Sequence, residues 1–495
     1  MNPPPTQPVT FGEALDHYAT LRPKEPQLLC ALQDGSVATL TREQVRHWSN
    51  RLACALMEAG VDVGVIVPID LPTGNTFLVA AAAVFKAGGT PMPVSYRLPA
   101  PERSALLALA EPIVVVSDRG GDYPVINPME HAYGDIVTEA LPRRVTQPIK
   151  ALASGGSTGK PKLILTTGAF EQNLGQIPVA QMLRIREEDL KYSPGPLYHN
   201  GPFWFSVNTL FSGATVLLNE RFDATRAIEL IEEYKPTVLN LVPTMMQRML
   251  RARNWESADL SAVRVIWHLA APCPAWAKRG FIDKFGGETV LELWAATEAT
   301  GLTVIDGNDW LAHPGSVGKP YGTEVLIVDA DRKPLPNGQV GEIFTRFAGL
   351  DAPYEYRGSA PLETVGEGFA SVGDLGWLDD EGYLYLADRR TDMIISGGAN
   401  IFPAEIEAVI STHPEVVDVA VFGLTDEDLG RRVHAVIEPK DINAPPTVAD
   451  IQALCEQQLV RYKVPRGFEF VAQLPRNDAG KIRRSALRDE RESCQ

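Results

Sequence analysis

The first two-thirds of the chain alternate short apolar segments with amphipathic helical segments, and this alternation constrains the fold more than any other feature. A capping-box pattern, Thr41 with Gln44, begins one helix. A strand pattern follows at 65–70, an alanine-rich helix at 75–86 and a β-branched strand at 113–117. Strands and helices that alternate in this way predict an α/β fold with doubly wound sheets.

Two further strand patterns, at 263–269 and 289–293, each lead into a loop of small or polar residues. Ligand sites of α/β sheets lie at the carboxyl ends of the strands. The sequence therefore places the candidate site after these two strands.

The pattern changes from residue 371 onward, where glycine and aspartate become frequent and a charged segment, 388–392, interrupts the apolar periodicity. The remaining chain reads as a small α+β unit of helix, two strands, helix and strand. We therefore predict a large N-terminal domain at 1–388, a hinge at 389–392 and a small, mobile C-terminal domain at 393–495.

Charge and composition exclude several classes of protein. With 46 basic and 62 acidic residues, the net charge of -16 disfavours binding to nucleic acid. The five cysteines are far apart and form no C-x-x-C pair, which indicates a reducing compartment and no thiolate metal site. The longest apolar run, 77–85, is too short to span a membrane. We expect a cytoplasmic protein with no membrane span.

The segment 153–162, ASGGSTGKPK, has the composition of a phosphate-binding loop. Glycines let backbone N–H groups approach an anion, hydroxyls add donors, and lysines neutralise charge. It is not a Walker loop, because Pro161 stands in place of the hydroxyl that binds Mg²⁺. Taken alone, the same segment is also compatible with a plain surface loop.

This segment resembles the phosphate loop T-S-G-[ST]-T-G-x-P-K-G of the adenylate-forming (ANL) superfamily, which includes acyl-CoA synthetases, peptide-synthetase adenylation domains and luciferases. The match runs from Gly156 to Lys162, with Gly155 where Ser is usual and Leu163 where Gly is usual. The resemblance implies that the loop binds the phosphates of ATP through Ser154, Gly155, Gly156, Ser157, Thr158, Gly159 and Lys162.

The segment 294–298, WAATE, is similar to the family's Y-G-x-T-E. The resemblance implies that Thr297 contacts phosphate and that Glu298 helps to hold Mg²⁺, a hard cation that prefers carboxylate oxygens. Trp294 replaces the tyrosine that usually stacks on adenine. Alone, a Thr-Glu pair is more often a helix N-cap. Ala270, Ala271 and Pro272 match the family's G-A-P segment. The resemblance implies that their backbone lines the adenine pocket.

Segment 371–377, SVGDLGW, is similar to the family's T-G-D-x-G element, and segment 388–389, DR, is similar to its G-R element. They imply that Asp374 binds the ribose hydroxyls and that Arg389 points a cationic fork toward ribose or phosphate. Two residues after this arginine the family usually carries Asp or Lys as a hinge. This chain has Thr391 followed by Asp392, which leaves the pivot residue open.

The C-terminal part carries two more matches. Segment 396–407 is similar to G-G-E-N-I-x-P-x-E-I-E, which implies that Ser396, Gly397 and Gly398 line the path of the CoA thiol after the small domain rotates. Segment 475–482 looks like P-R-T-x-x-G-K-I, which makes Lys481 the adenylating lysine. A cation at that point stabilises the charge that builds up on the α-phosphate.

The segment 198–206, YHNGPFWFS, corresponds to the family's acid-pocket motif, with His199 as its gate. Amino-acid-activating relatives carry an Asp where this chain has Trp204, so an amino acid is disfavoured. Aromatic and small residues predict a roomy apolar pocket for a fatty, aryl or polycyclic acid, although such a cluster is also common in a core. The motif also resembles bile-acid and steroid-carboxylate CoA ligases. The predicted pocket residues are His199, Asn200, Phe203, Trp204, Ala295 and Gly301.

The resemblance implies an acid–thiol ligase that forms an acyl-adenylate from a carboxylic acid and ATP and passes the acyl group to CoA. Its catalytic residues would be Lys481, Glu298, Thr297 and His199, with ATP, Mg²⁺ and CoA as cofactors or co-substrates. A homodimer is left open. Two alternatives also stay open: a stand-alone adenylation enzyme that loads a carrier protein, and a non-catalytic nucleotide-binding protein.

Overall fold

The computed structural model describes residues 7–135, 137, 141–155, 161–347, 353–476, 482 and 484–493, without the side chains of residues 154 and 155. The helices of this part of the chain are α1 (Phe11–Leu21), α2 (Arg42–Glu58), α3 (Asn75–Lys86), α4 (Ala100–Ala110), α5 (Pro178–Met182), α6 (Asn200–Phe211), α7 (Ala224–Tyr234), α8 (Pro243–Leu250), α9 (Ala275–Phe285), α10 (Gly307–Ala312), α11 (Pro403–Ile410), α12 (Val448–Gln458) and α13 (Arg484–Glu492). None of these described helices is long and apolar enough to cross a lipid bilayer.

The strands follow the same chain order. The first fifteen are β1 (Val9–Thr10), β2 (Pro26–Ala31), β3 (Val37–Thr41), β4 (Ile66–Asp70), β5 (Thr90–Pro93), β6 (Val115–Ser117), β7 (Val125–Ile126), β8 (Lys150–Gly155), β9 (Pro161–Thr166), β10 (Glu171–Gln172), β11 (Leu190–Ser193), β12 (Thr215–Asn219), β13 (Val238–Leu241), β14 (Val265–His268) and β15 (Val290–Ala295). The others are β16 (Leu302–Asp306), β17 (Ser316–Pro320), β18 (Thr323–Val328), β19 (Gly341–Phe347), β20 (Tyr354–Arg357), β21 (Glu363–Val365), β22 (Phe369–Ser371), β23 (Asp374–Leu378), β24 (Leu384–Arg389), β25 (Ile394–Ser396), β26 (Ala399–Ile401), β27 (Val416–Asp426), β28 (Gly430–Pro439) and β29 (Gly467–Phe470).

Three sheets build the large N-terminal part. The largest runs β3-β2-β12-β11-β13-β14-β15 and continues through β16, β17 and β24 to β23, β19, β22 and β21. Its neighbours from β2 to β15 pair in parallel, as the alternation of strands and helices predicts. A second sheet, β5-β4-β6-β7, is also parallel. Strands β8, β9 and β20 form a third, antiparallel sheet.

The α/β fold class predicted from the sequence is confirmed, with one difference. From β15 onward the large sheet extends through antiparallel pairs, beginning with β15 and β16. Antiparallel neighbours can be joined by short turns, whereas parallel neighbours need a crossover that is usually a helix. The helical periodicity that predicted the parallel part is therefore absent from this stretch. Strands β23 and β24 form one of these antiparallel pairs.

Helix α3 explains how the two parallel sheets are held together. All its residues except Thr76 are buried, so it is apolar on every side, as expected for a helix packed between layers. One continuous core joins it with side chains of α1, α2 and α6 and with β2, β4 and β12. The capping box predicted at Thr41 and Gln44 begins α2, and each side chain bonds the backbone N–H of the other residue.

The C-terminal part matches the small α+β unit expected from the sequence. Strands β27 and β28 form a long antiparallel pair, and β29 adds in parallel to β28. Helices α11 and α12 pack on this sheet around the buried side chains of Ile406, Ile410 and Ile451. The boundary at 388 and the hinge at 389–392 stay predictions.

A buried lysine interrupts the apolar face of the large sheet. Lys191 on β11 is 1 % exposed, and its register partners are Val216 and Val238. Its Nζ has no hydrogen-bond partner in the described part of the chain. Burial lowers the pKa of Lys191 to about 7, because an ammonium loses its hydration among apolar side chains.

Replacing this lysine should stabilise the fold. We expect Lys191→Met to raise the free energy of unfolding at pH 7 by about 2 kcal/mol, because an unpaired buried charge is removed. The folded pKa lies below the unfolded one, so the wild-type protein gains stability as pH rises from about 7 to 10.5. The advantage of the variant should therefore shrink at pH 9.

Urea unfolding at the two pH values measures both effects. The control is Lys333→Met, because the Lys333 side chain is 75 % exposed and its replacement should change little. A destabilised Lys191→Met variant at pH 7 would contradict the interpretation.

Candidate active site

The predicted phosphate loop joins the two strands of a hairpin. Ser154 pairs with Lys162 and Gly155 with Pro161, so β8 and β9 hold the two ends of the loop next to each other. The predicted residues Gly156, Ser157, Thr158 and Gly159 lie outside the described residues. Lys162, at the start of β9, is the described member of this set whose side chain reaches another predicted site residue.

Lys162, Glu298 and Tyr356 form a hydrogen-bonded group between the third sheet and the large sheet. Lys162 Nζ lies 3.4 Å from Glu298 Oε1 and 2.9 Å from the Tyr356 hydroxyl. The Tyr356 hydroxyl donates to the same Glu298 oxygen at 2.5 Å, and Lys162 Nζ lies 4.0 Å from the centre of the Tyr356 ring. Burial and the bond to Glu298 raise the pKa of Tyr356, so it stays a phenol that donates.

The turn after β15 orients the Glu298 side chain. Residues 296–299 close a turn through the hydrogen bond from Ala299 N to Ala296 O at 3.1 Å, and Ala299 has a φ of 53°. A helix does not begin here, so the reading of Thr297 and Glu298 as a helix N-cap is wrong. Thr297 is half-buried in the same turn, and Glu298 is 8 % exposed.

The carboxylate of Glu298 fits a magnesium ligand. The hydrogen bonds from Lys162 and Tyr356 both reach Oε1, while Oε2 has no hydrogen-bond partner among the described residues. Mg²⁺ prefers oxygen ligands and is commonly held by one or two carboxylates together with phosphates of the substrate. No group of three or more metal-ligating side chains occurs in the described ranges, so Glu298 would need those phosphates to complete the coordination.

A second group joins residues predicted to bind the nucleoside. Trp294 Nε1 donates to Asp374 Oδ2 at 3.1 Å, and Arg389 Nε lies 3.2 Å from Asp374 Oδ1. Asp374 and Arg389 also face each other across the β23–β24 pair. Tryptophan at position 294 loses the phenol of the usual tyrosine, but its indole N–H orients the predicted ribose ligand.

The G-A-P-like segment directly follows β14, at the carboxyl end of that strand, where the sequence places it. Ala270 has a φ of 80°, a left-handed conformation that a residue with a Cβ rarely adopts. Ala271 is half-buried and Pro272 is exposed. The strained backbone at Ala270 turns the chain away from the sheet at the predicted adenine pocket.

The predicted acid-pocket residues fall into two groups around the start of α6. His199 is the N-cap residue, half-buried, with its ring centre 4.6 Å from that of Tyr198. Phe203 is fully buried and packs against Phe77, which favours a role in the core. Asn200 and Trp204 instead contact Lys150, a residue that the sequence analysis did not select.

The two small residues predicted for the pocket lie near the turn of Glu298. Ala295 ends β15 and is exposed. Gly301 is buried, and a Cβ at this position would come within 2.5 Å of Thr323 and 2.7 Å of Thr345. Sheet packing therefore requires glycine at 301, whatever its role toward a substrate.

The glycines predicted to face CoA form a tight turn on the small C-terminal unit. Gly397 and Gly398 connect β25 to β26 with φ values of 56° and 80°, the left-handed pair that a two-residue hairpin needs. Ser396 and Gly397 border a cavity of about 290 Å³ that is also lined by Tyr462 and Arg466. This cavity includes none of the residues of the two groups around Glu298 and Asp374.

The predicted adenylating lysine, Lys481, lies outside the described residues. The residues on either side of its segment, Arg476 and Ile482, form an antiparallel bridge. Arg476 also bonds Asp418 on β27, with Nη2 and Oδ1 2.6 Å apart. The ends of the segment that carries Lys481 are thereby fixed to the small unit.

The predicted hinge is bordered by residues with different anchors. Arg390 Nη1 lies 2.9 Å from Glu342 on β19, and its N–H donates to Gly373 O. Asp392 Oδ2 accepts from Arg484 on α13 at 2.8 Å. Thr391 lies between a residue held by the large part and a residue held by the small unit.

Asp388 connects the two parts next to this hinge. Its Oδ2 accepts from the N–H of Ala404 in the first turn of α11 at 3.0 Å. Burial raises the pKa of Asp388 to about 6, an effect that the guanidinium of Arg484 opposes. Ionisation of Asp388 therefore costs free energy in this buried position.

Sequence reasoning missed Tyr356 and Lys150. Tyr356 is 194 residues from Lys162 in the chain, and no motif contains it. Alternating tyrosines at 354 and 356 indicate a strand, but the partner of a strand depends on tertiary structure. Lys150 precedes the first residue of the phosphate loop, Ala153, by three residues and could have been noticed as a charged residue within an apolar strand pattern.

Comparison with known proteins assigns this chain to a family. The family model described as AMP-binding enzyme matches residues 15–354, and that of the AMP-binding enzyme C-terminal domain matches residues 405–481. The chain belongs to this family of AMP-binding enzymes, the adenylate-forming superfamily, as the sequence motifs predicted. It is an enzyme of the acid–thiol ligase class.

Individual relatives cover nearly the whole chain. It is 31 % identical to the feruloyl-CoA synthase of an Amycolatopsis species, over 96 % of this chain and 99 % of that protein. It is 29 % identical to the fatty acid–[acyl-carrier-protein] ligase ScoC of Streptomyces coeruleorubidus, over 97 % and 96 %. The structure of o-succinylbenzoate CoA synthetase from Bacillus subtilis with its acyl-adenylate has a TM-score of 0.82, 26 % identity and 98 % coverage of both chains. The same synthetase is also known with ATP and magnesium ion.

The bond between Tyr356 and Glu298 predicts a magnesium phenotype. We expect Tyr356→Phe to raise the Mg²⁺ concentration needed for half-maximal ATP binding by about tenfold, because a group that orients a metal ligand is lost. Titration of Mg²⁺ at fixed ATP, followed by calorimetry, measures this shift.

The matched control is Tyr354→Phe on the same strand. The Tyr354 hydroxyl accepts from Leu362 N and makes no hydrogen bond to Glu298. If both variants shift the Mg²⁺ requirement equally, the change reports a loosened strand and not the orientation of Glu298.

Proposed function

We propose that this protein is an ATP-dependent carboxylate–CoA ligase. It converts a carboxylic acid and ATP to an acyl-adenylate and pyrophosphate, and then transfers the acyl group to CoA with release of AMP. The observation that carries the proposal is the contact of Lys162 with Glu298, which brings the phosphate hairpin to the turn after β15. The bond between Trp294 and Asp374 adds a nucleoside site beside the same strand.

The first half-reaction joins two anions, and the residues of the site reduce their repulsion. Lys162 and the phosphate loop bind the phosphates of ATP, Asp374 and Arg389 orient the ribose, and Thr297 contacts phosphate. Mg²⁺, held by Glu298, supplies neutralisation of phosphate charge when it is bound. Lys481 stabilises the charge on the α-phosphate as the carboxylate oxygen attacks and pyrophosphate leaves. His199 gates the entry of the acid.

The second half-reaction needs a different face of the small C-terminal unit. Lys481 and the Gly397–Gly398 turn lie on that unit but have different tasks, so a rotation would exchange them at the adenylate. The anchors of Arg390 and Asp392 support Thr391 as the pivot. The CoA thiol would then attack the acyl carbon, and AMP would leave.

A carrier-protein thiol is the second candidate acceptor, because one of the similar proteins is a fatty acid–[acyl-carrier-protein] ligase. The chemistry of transfer is the same, and only the thiol donor differs. We favour CoA because several of the similar proteins, among them feruloyl-CoA synthase and o-succinylbenzoate CoA synthetase, are CoA ligases.

The acid is proposed to have an apolar body. Trp204 presents its ring at the start of α6, and its neighbour Phe170 lies 5.0 Å away, centre to centre. A fatty, aryl or polycyclic body suits such a wall. The narrower assignment to bile acids or steroids rests on the sequence motif alone. Cytoplasmic location and a homodimer stay predictions.

Mass spectrometry of the reaction products tests the proposal. MgATP is supplied with a panel of fatty, aryl, steroid and dicarboxylic acids, each with and without CoA. We expect acyl-CoA and AMP with CoA, and acyl-adenylate without it. Accumulation of acyl-adenylate that never passes to CoA would favour a carrier-protein acceptor. The absence of AMP with every acid would count against the ligase.

The exchange of tasks on the small unit predicts a split phenotype. We expect Lys481→Ala to slow adenylate formation by about 10²-fold or more, the size of effect seen when a group that stabilises developing charge is removed. Transfer from supplied acyl-adenylate to CoA should continue at nearly the wild-type rate. Single-turnover assays of each half-reaction measure the split, and equal loss of both would reject the alternation.

A further inference from the structure

Lys150 is a buried lysine that forms no ion pair with any of the described residues. The residue, at the start of β8, is 3 % exposed, and its Nζ donates to Asn200 Oδ1 at 2.8 Å. The same Nζ lies 5.0 Å from the centre of the Trp204 ring. No carboxylate of the described residues lies within 4.0 Å of it. An ammonium has three donors, so two are left for another partner.

The N-terminus of α6 adds positive potential next to Lys150. Asn200 is the first residue of this helix, which has no side-chain cap and no acidic residue in its first turn. The N-terminus of a helix carries a partial positive charge. A buried ammonium beside it is repelled unless an anion joins the two, so both features favour a bound anion.

Other buried lysines show how the protein normally satisfies such a group. Lys86 pairs with Asp16 at 2.8 Å, and Lys278 pairs with Glu292 at 2.6 Å. Lys191 also lacks a carboxylate, but it lies in mid-strand with apolar register partners. Lys150 differs because an amide, an aromatic ring and a helix end surround it, which are groups typical of a ligand pocket.

We propose that Lys150 binds a second anionic group of the acid substrate, so that the enzyme activates one carboxylate of a dicarboxylic acid. This rests on the proposed function, in which Asn200 and Trp204 border the acid. Lys150 precedes Ser154 by four residues of β8, about 13 Å at 3.3 Å per residue. The lysine therefore meets the end of the acid that is remote from the phosphates.

Because the charge of Lys150 depends on pH, the proposal predicts that the preference for a dicarboxylate also depends on pH. Burial lowers the pKa of Lys150 to about 7, and a bound carboxylate would raise it again. Burial is the cause of this lowered pKa, and the titratable group that flanks its partner Asn200 is His199, the N-cap residue of α6. The preference for a dicarboxylate should therefore weaken as pH rises from 7 to 9, while that for a monocarboxylate changes less.

Matched acids test the assignment. The kcat/KM of the wild-type enzyme is compared for pairs of equal chain length that end in a carboxylate or in a methyl group. We expect a preference for the dicarboxylate, and we expect Lys150→Met to reduce the ratio of the two values on the order of 10²-fold. Lys150→Gln, which keeps a donor, should give an intermediate ratio.

The control is Lys86→Met, which removes another buried lysine with an amide partner; its Nζ bonds Asp16 and Asn50 and none of the residues around Lys150. It should leave the ratio unchanged even if stability falls. Calorimetry of the same acids with wild type and Lys150→Met adds a readout that does not need turnover.

The outcomes separate the inference from the proposed function. Active enzyme with a wild-type preference for the monocarboxylate, or with equal loss of both acids in Lys150→Met, would overturn the role of Lys150 and leave the ligase intact. Binding of the dicarboxylate that depends on Lys150, without any formation of AMP, would support the inference and reject the ligase.

Discussion

The contact between Lys162 and Glu298 is the interaction on which the geometry of the site depends. Lys162 begins β9 in the antiparallel third sheet, whereas Glu298 lies in the turn after β15 of the large sheet. Their opposite charges join the third sheet to the large sheet, and Tyr356 on β20 orients the carboxylate by a further bond. The contact thereby brings the phosphate hairpin to the predicted metal ligand. The nucleoside group lies on the large sheet itself, where Trp294 of β15 bonds Asp374 of β23.

The sequence predicted the parts of the fold that have a local cause. Helix α3 was predicted with the bounds that the structure has. The alanine-rich apolar run that begins at Asn75 favours a helix, and Gly88 and Gly89 end it soon after Lys86. Strands β27, β28 and β29 of the small unit were also predicted, although β27 and β28 extend further than the apolar pattern, whereas the short strands β25 and β26 were not predicted. The antiparallel continuation from β16 onward was not predicted. Pairing between strands that are far apart in the sequence depends on tertiary contacts, and no periodicity of apolar residues reports which strands will pair.

The candidate site shows the same division. Motifs predicted that Lys162, Glu298, Trp294 and Asp374 belong together, and the structure brings these residues into two bonded groups. The motifs could not supply Tyr356, whose importance arises only from its hydroxyl lying between a lysine and a glutamate. They also could not separate Phe203, which packs in the core, from Trp204, one residue further on the same helix, because a helix turns successive side chains by about 100°.

The predicted hinge lies between residues with different anchors. Arg390 bonds Glu342 and Asp392 bonds Arg484, while the N–H of Asp392 also bonds the carbonyl of Arg389 and closes a turn around Thr391. A pivot at Thr391 stays a prediction, and a rotation there would have to open this turn. The bond from Ala404 to Asp388 crosses this point and would have to break on rotation. Because burial raises the pKa of Asp388 to about 6, an ionised Asp388 at neutral pH gains hydration when that bond opens. The same opening would separate Asp388 from the guanidinium of Arg484, 3.9 Å away, so the gain in hydration and the loss of this ion pair oppose each other.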